Sequence, residues 1–146
     1  MVTKNMMNDR RLTRQRGLTR VELLVVMVIL GLLASLVLPN FFRQGAKARV
    51  GVARSQIAAL GTALDAFALD VGRYPTDGEG LQALIEQPAD AKNWDGPYLK
   101  KAVPADPWGN EYSYSTGGQA GYELVSMGAD GKTGGEGDSA DISSSD

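Results

Sequence analysis

From Leu23 to Phe42 no position carries a charge, and polar, mostly basic residues flank this run on both sides. A helix rises about 1.5 Å per residue, so twenty such positions extend roughly 30 Å, the thickness of a bilayer hydrocarbon core. The run reads as a membrane-spanning helix. Beyond Pro39 the pattern changes. Val50, Ala53, Ile57, Leu60, Leu64, Phe67 and Val71 recur at alternating spacings of three and four, which draws one apolar stripe along an amphipathic helix. Asp65 and Asp70 fall off the stripe, and Gly72 with Pro75 supplies a stop. The pattern therefore predicts one helix from near Leu18 to near Val71, roughly 80 Å at about 1.5 Å per residue. Gly31, Pro39, Gly45, Gly51 and Gly61 are its expected points of bending or local melting.

After the helix the pattern breaks into short pieces. GLQALIEQ from Gly80 reads as helical, ADAKNWDGP as a loop, and residues 111–115 and 122–127 as strands. In GNEYSYSTGGQAGYELVSMG polar and apolar positions alternate on either side of a Gly-rich turn, which predicts a hairpin. Two or three strands cannot stand alone in water, so they must pack on the helical stripe. The expected fold class is α+β: a long N-terminal helix against a small antiparallel sheet. Four segments follow: a basic leader at 1–17, the apolar helix at 18–42, its amphipathic continuation at 43–72, and a head at 73–146.

Composition removes several chemistries. The chain of 146 residues has no cysteine and no histidine, so disulfides, thiolate or imidazole metal sites, and Ser-His-Asp or Cys-His catalysis are excluded. Carboxylates and lysines remain as the main candidates for chemistry. A net charge of −2 conceals a strong polarity. Residues 1–54 hold ten Lys/Arg against Asp9 and Glu22, whereas residues 77–146 hold thirteen Asp/Glu against four lysines. So acidic a carboxy-terminal half repels nucleic acid and attracts cations. The basic run at 47–54 lacks the interleaved aromatics of a single-strand binder, and no nucleic-acid partner is expected.

Glu22 stands at the mouth of the apolar run. A carboxylate there costs several kcal/mol unless it is paired. No small-residue cleavage site follows the apolar run, so the span is expected to be kept. Cleavage between Gly17 and Leu18 instead would place a new α-amino group one helical turn from Glu22, on its own chain or on a neighbour. Arg20 and the lipid headgroups are the competing partners.

The basic leader, Gly17 and the stretch Leu18-Thr19-Arg20-Val21-Glu22 running into LLVVMVILGLLASLVLP resemble the start of type IV pilin-like precursors. The resemblance implies a prepilin peptidase that cleaves after Gly17 and methylates the new amino terminus. It also implies an assembly role for Glu22 and a helix-bending role for Pro39. Leu18 and Arg20 depart from the family, which usually has Phe or Met and an apolar residue at these places. GRYPTDGEGLQAL (72–84), DGPYLKK (95–101), VPADPWGNEYSY (103–114) and GADGKTGGEGDSADI (128–142) narrow the likeness. In that order they resemble the major pseudopilins of type II secretion, although the chain's end, DISSSD, lacks the family's tryptophan. The implied function is a subunit that self-assembles into a helical periplasmic filament and drives protein export across the outer membrane. Implied partners are minor pseudopilins, the peptidase, and an inner-membrane assembly platform with its ATPase. The implied location is the inner membrane, single-pass, with the head in the periplasm. Two rivals share parts of this pattern: a type IV pilin for adhesion, motility or DNA uptake, and a monomeric, membrane-anchored calcium-binding module.

The segment 127–142 gathers Asp130, Glu136, Asp138 and Asp141 among glycines. Hard oxygen donors in a flexible loop suit calcium better than magnesium. By spacing alone a solvated acidic tail fits as well. The resemblance implies one calcium, held by the carboxylates of Asp130 and Asp141 and by main-chain oxygens near Met127 and at Asp138–Ser139. Ala140 stands where some members have a second aspartate, and Glu136 falls outside the implied shell. Asp106-Pro107-Trp108-Gly109 reads either as a ligand platform or as a buried turn anchored by Trp108.

Overall fold

The structure, a computed structural model, describes residues 17–146, so the leader sequence up to Arg16 lies outside the described residues. The chain divides into two compact units, one reaching Asn40 and the other spanning Phe41–Asp146. One helix, α1 (Arg20–Val71), contributes to each.

In the first unit α1 is the whole of the described helical structure. Its large apolar residues between Val21 and Leu38 are 45% to 76% exposed, so nothing among the described residues covers them. The helix continues through Gly31, Pro39, Gly45, Gly51 and Gly61, without the local melting expected at these positions. One weak residue interrupts few hydrogen bonds, while the turns on either side hold the helix.

In the second unit the stripe drawn by the sequence is the buried face. Ala53, Ile57, Leu60, Leu64 and Phe67 are buried, with Val50 and Val71 packed at its ends. Each large apolar side chain fully buried here contributes about 1.5–3 kcal/mol. The helix ends at Val71, and the Gly72 N–H donates to the Ala68 carbonyl at 2.8 Å. Arg73 then clamps the turn that follows, its guanidinium donating to both carboxylate oxygens of Glu79 at 2.7 and 2.8 Å. This fork pulls the Glu79 carboxyl down to about 2.

The helix expected from Gly80 is shorter and tighter than its sequence suggests, a 3-10 helix at Gly80–Leu84. Its carbonyls are taken by the following loop: Trp94 Nε1 donates to Ala83 at 2.9 Å and the Tyr98 N–H to Leu84 at 2.7 Å. Pro88 has no N–H with which to continue an α-helix from Leu84. Three strands form one antiparallel sheet in the order β1 (Ser113–Thr116), β2 (Tyr122–Ser126), β3 (Ile142–Ser143). The hairpin pairs Tyr114 with Leu124 and Thr116 with Tyr122. On the other edge Ser126 pairs with Ile142. Leu124 and Ile142 are buried in the same cluster as the helical stripe, together with Leu81, Leu84, Ala91 and Tyr112.

Tyrosines tie the head to α1 at its polar edges. Tyr74 donates to Asp65 at 2.9 Å, Tyr98 to Asp70 at 2.8 Å, and Tyr112 to Gln56 at 2.5 Å. The two acids that fall off the apolar stripe are therefore acceptors for the head.

At Gly61 a side chain of the sheet packs tightly on the helix, because a Cβ there would lie 2.6 Å from Tyr122 Oη. The Tyr122 ring is held edge-on against Tyr74 at 5.0 Å and cannot simply swing aside. At Gly51, by contrast, a Cβ meets open space. Gly51→Ala is expected to stabilise the head by about 0.5–1 kcal/mol through helix propensity. Gly61→Ala is expected to lose that gain to overpacking of about 1–3 kcal/mol. Denaturant melts of the two variants check the pair; equal stabilisation would contradict the packing role of Gly61.

Candidate functional site

Two regions hold the residues singled out by the sequence. At the amino-terminal end Gly17 and Leu18 are exposed and precede the first turn of α1. Thr19 caps that turn: its Oγ1 accepts the Glu22 N–H at 3.1 Å and its carbonyl accepts the Leu23 N–H at 3.0 Å. Thr19-Arg20-Val21-Glu22 has the spacing of a capping box, a signal legible in the sequence that points to Thr19. Glu22 thus lies in the first turn, where the helix dipole favours a carboxylate. It forms no ion pair with Arg20; among the described residues the one ion pair is Arg73–Glu79. The Glu22 carboxylate is left without a cationic partner from the described residues of its own chain. Pro39 sits inside α1, and the window that is long and apolar enough to cross a membrane has none of its residues buried.

The second region is the segment 127–142. Its two ends are brought together by Gly128, a buried residue at φ 63°, where a Cβ would lie 2.8 Å from the Asp138 carbonyl oxygen and 3.0 Å from that of Ala140. Only glycine permits both the backbone conformation and this contact. The Ala129 N–H donates to the Asp138 carbonyl at 2.8 Å, which closes the loop. A short 3-10 turn, Gly137–Ser139, carries Asp138 and Ser139, with the Asp138 side chain facing solvent. Asp130 and Glu136 are exposed, and Asp130 Oδ1 accepts the Lys132 N–H at 3.1 Å.

Asp141 is the most constrained acid of the loop. Its Oδ2 accepts the Gly134 N–H at 2.9 Å, while its Oδ1 is buried and has no hydrogen-bond partner. A buried oxygen left without a partner is costly, and a bound ion or an ordered water satisfies it. No group of three or more acidic side chains converges among the described residues. What the loop does show is one buried carboxylate oxygen, on Asp141, and the Asp138 and Ala140 main-chain oxygens packed against Gly128. That donor set suits a hard cation with mixed carbonyl and carboxylate ligands better than a carboxylate cage.

Asp106-Pro107-Trp108-Gly109 is the buried turn rather than a platform. Asp106 is buried and accepts the N–H groups of Trp108 and Asn110 at 3.1 and 2.8 Å, and Trp108 is half-buried against the core. Lys100 and Lys101 are exposed.

Comparison with known proteins follows the same lines. Residues 40–145 match the family described as type II secretion system (T2SS), protein G. The type II secretion system core protein G of Pseudomonas aeruginosa is 47% identical over 135 residues, covering 88% of this chain and 94% of that one. The protein of the same name from Vibrio cholerae serotype O1 is 44% identical over 137 residues, covering 91% and 93%. The crystal structure of the major pseudopilin from the type 2 secretion system of enterohaemorrhagic Escherichia coli superposes with a TM-score of 0.62 at 35% identity. The match covers 73% of this chain and 94% of that one. The expected helix-and-sheet fold and the resemblance carried by the ordered motifs are both borne out. On its fold and on its sequence over most of its length, this chain belongs to the type II secretion system protein G family.

Proposed function

We propose that the chain is the major pseudopilin of its secretion system, a structural subunit without catalysis of its own. It is made with the leader 1–17, inserted in the inner membrane with its head in the periplasm, cut after Gly17, and methylated at the Leu18 amine by the prepilin peptidase. It then polymerises with its own copies and with minor pseudopilins, driven by the assembly platform and its ATPase, into the filament that moves proteins across the outer membrane. The observation that carries this reading is the uncovered apolar half of α1, which begins at a carboxylate with no cationic partner on the described part of its chain. In a bilayer such segments have little hydrophobic reason to associate, so packing and polar contacts must set their register. A repeated head-to-tail contact that does not close into a ring generates a helical filament.

The loop holds one calcium in this reading. Asp130 and Asp141 supply carboxylates, and the main-chain oxygens of Met127, Asp138 and Ser139 complete the set. When bound, calcium neutralises the carboxylates that hold it and keeps the loop in one arrangement. The chain's own part is to keep Asp141 Oδ1 dry and the Asp138–Ala140 main chain seated on Gly128.

Processing tests this proposal. Loss of residues 1–17 removes five basic groups and one acid, leaving ten basic and sixteen acidic residues, a formal −6. Cells that contain the peptidase should yield a chain shortened by this leader and more acidic, and crosslinking should trap its oligomers. An uncleaved 15.5 kDa monomer would overturn it and favour a solitary membrane-anchored module.

A further inference from the structure

Beneath the acidic loop lies a closed ring of hydrogen bonds that the stem and the calcium ligands do not use. Asp106, 4% exposed, accepts from Ser126 Oγ at 2.6 Å, and Ser126 is fully buried. The other carboxylate oxygen of Asp106 accepts the Asn110 N–H at 2.8 Å, and the Asp106 N–H returns to the Asn110 carbonyl at 2.8 Å. Asn110 Nδ2 then reaches across to the Gly128 carbonyl at 2.9 Å, and the Gly128 N–H closes the ring on Ser126 Oγ at 3.4 Å. Both polar groups of Gly128 are thus held by side chains anchored in the buried turn at Asp106. Gly128 in turn is the residue on which the Asp138–Ala140 main chain rests.

We propose that Asp106, Asn110 and Ser126 are positioning residues for the acidic loop and set its affinity for calcium. The inference rests on the calcium reading above. A loop whose ligands are mainly backbone carbonyls cannot be tuned by those carbonyls themselves; what can vary is how firmly the backbone is held. The ring holds Gly128 in the left-handed conformation, directly after Met127 in the chain and packed against the Asp138–Ala140 main chain, with the Asp138 and Ala140 oxygens nearest. Freed from Asn110, Gly128 can sample the many conformations open to glycine, and the carbonyls must then be ordered by the ion at the expense of its affinity. Outer-shell partners of metal ligands act in this way elsewhere.

The test is calcium titration by calorimetry on the detergent-solubilised full chain, comparing wild type, Asn110→Ala, Ser126→Ala and the double variant. The expected result is a Kd about tenfold weaker in each single variant. Because the ring acts as a unit, the double variant should be little weaker than either single one. Melting points in chelator are recorded alongside. If both variants melt lower in chelator yet keep a Kd within about twofold of wild type, the ring is ordinary core structure and the inference is overturned, with the calcium reading intact. If wild type itself takes up no calcium, the calcium reading fails and this inference with it. Should Asn110→Ala fail to fold, Ser126→Ala carries the same prediction.

Discussion

Replacing Glu22 with Ala is expected to leave the chain in the membrane and abolish its assembly into filaments, and with it protein export. Insertion should not suffer, because the change removes a charge from the edge of an apolar helix and lowers the cost of placing that edge in lipid. The start of the helix should persist as well. Thr19 caps the turn through the Glu22 main-chain N–H, a bond that alanine keeps. What disappears is the one carboxylate between Thr19 and Arg43, and with it the polar contact available to a freed amine at Leu18 of a neighbouring copy. In low dielectric that pair is worth far more than on a surface, and it selects one register among many similar apolar packings. Glu22→Gln separates charge from hydrogen bonding and should also fail to assemble. Circular dichroism of the membrane fraction should show unchanged helix, and electron microscopy no filaments. Normal filaments from Glu22→Ala would reject the role of the carboxylate.

A second large effect is expected from calcium on the head. A ligand at one hundred times its Kd stabilises the state that binds it by about 2.7 kcal/mol. For a head of this size each kcal/mol moves the melting point by about 4–8 °C, so excess calcium should raise it by about 10–20 °C over chelator. Magnesium should give a smaller shift, since it holds its waters and demands a tighter octahedron. The informative variant is Asp141→Asn. It keeps an oxygen for the Gly134 N–H but removes the charge and puts an amide where the unpartnered Oδ1 stands. Most of the calcium shift should vanish in this variant and in Asp130→Ala. Differential scanning calorimetry of the full chain in detergent measures the shift. Identical melting with calcium and with chelator would reduce the loop to a solvated acidic segment.

The reach of the sequence followed the range of the interactions involved. The stripe from Val50 to Val71 was legible because a 3.6-residue period repeats six times, and each member lies on or beside the buried face. The hairpin was legible because alternation and a Gly-rich turn are local signals, although β1 starts two residues later than expected. Strand β3 was not anticipated; two residues cannot display a period, and their pairing with β2 spans most of the acidic loop. Asp65 and Asp70 are acids beside an apolar stripe in the sequence, and only the fold brings Tyr74 and Tyr98 to them. In the loop the residues themselves displayed carboxylates, and the main-chain oxygens entered only through the family resemblance. No spacing shows that the Asp138–Ala140 main chain packs on Gly128 or that one oxygen of Asp141 is buried. The ring under the loop joins Asp106 to Ser126, twenty positions apart, and no spacing rule connects them. Thr19 is the opposite case, a capping signal written in four consecutive residues beside the more conspicuous Glu22.

The measurement closest to the central claim is electron microscopy, with mass analysis of the subunit, on filaments from cells that produce this chain together with its secretion machinery. Helical filaments built from residues 18–146, with one methyl group on the Leu18 amine, are the expected result. Recovery of the chain solely as a full-length membrane monomer, with no filament of that composition, would contradict it.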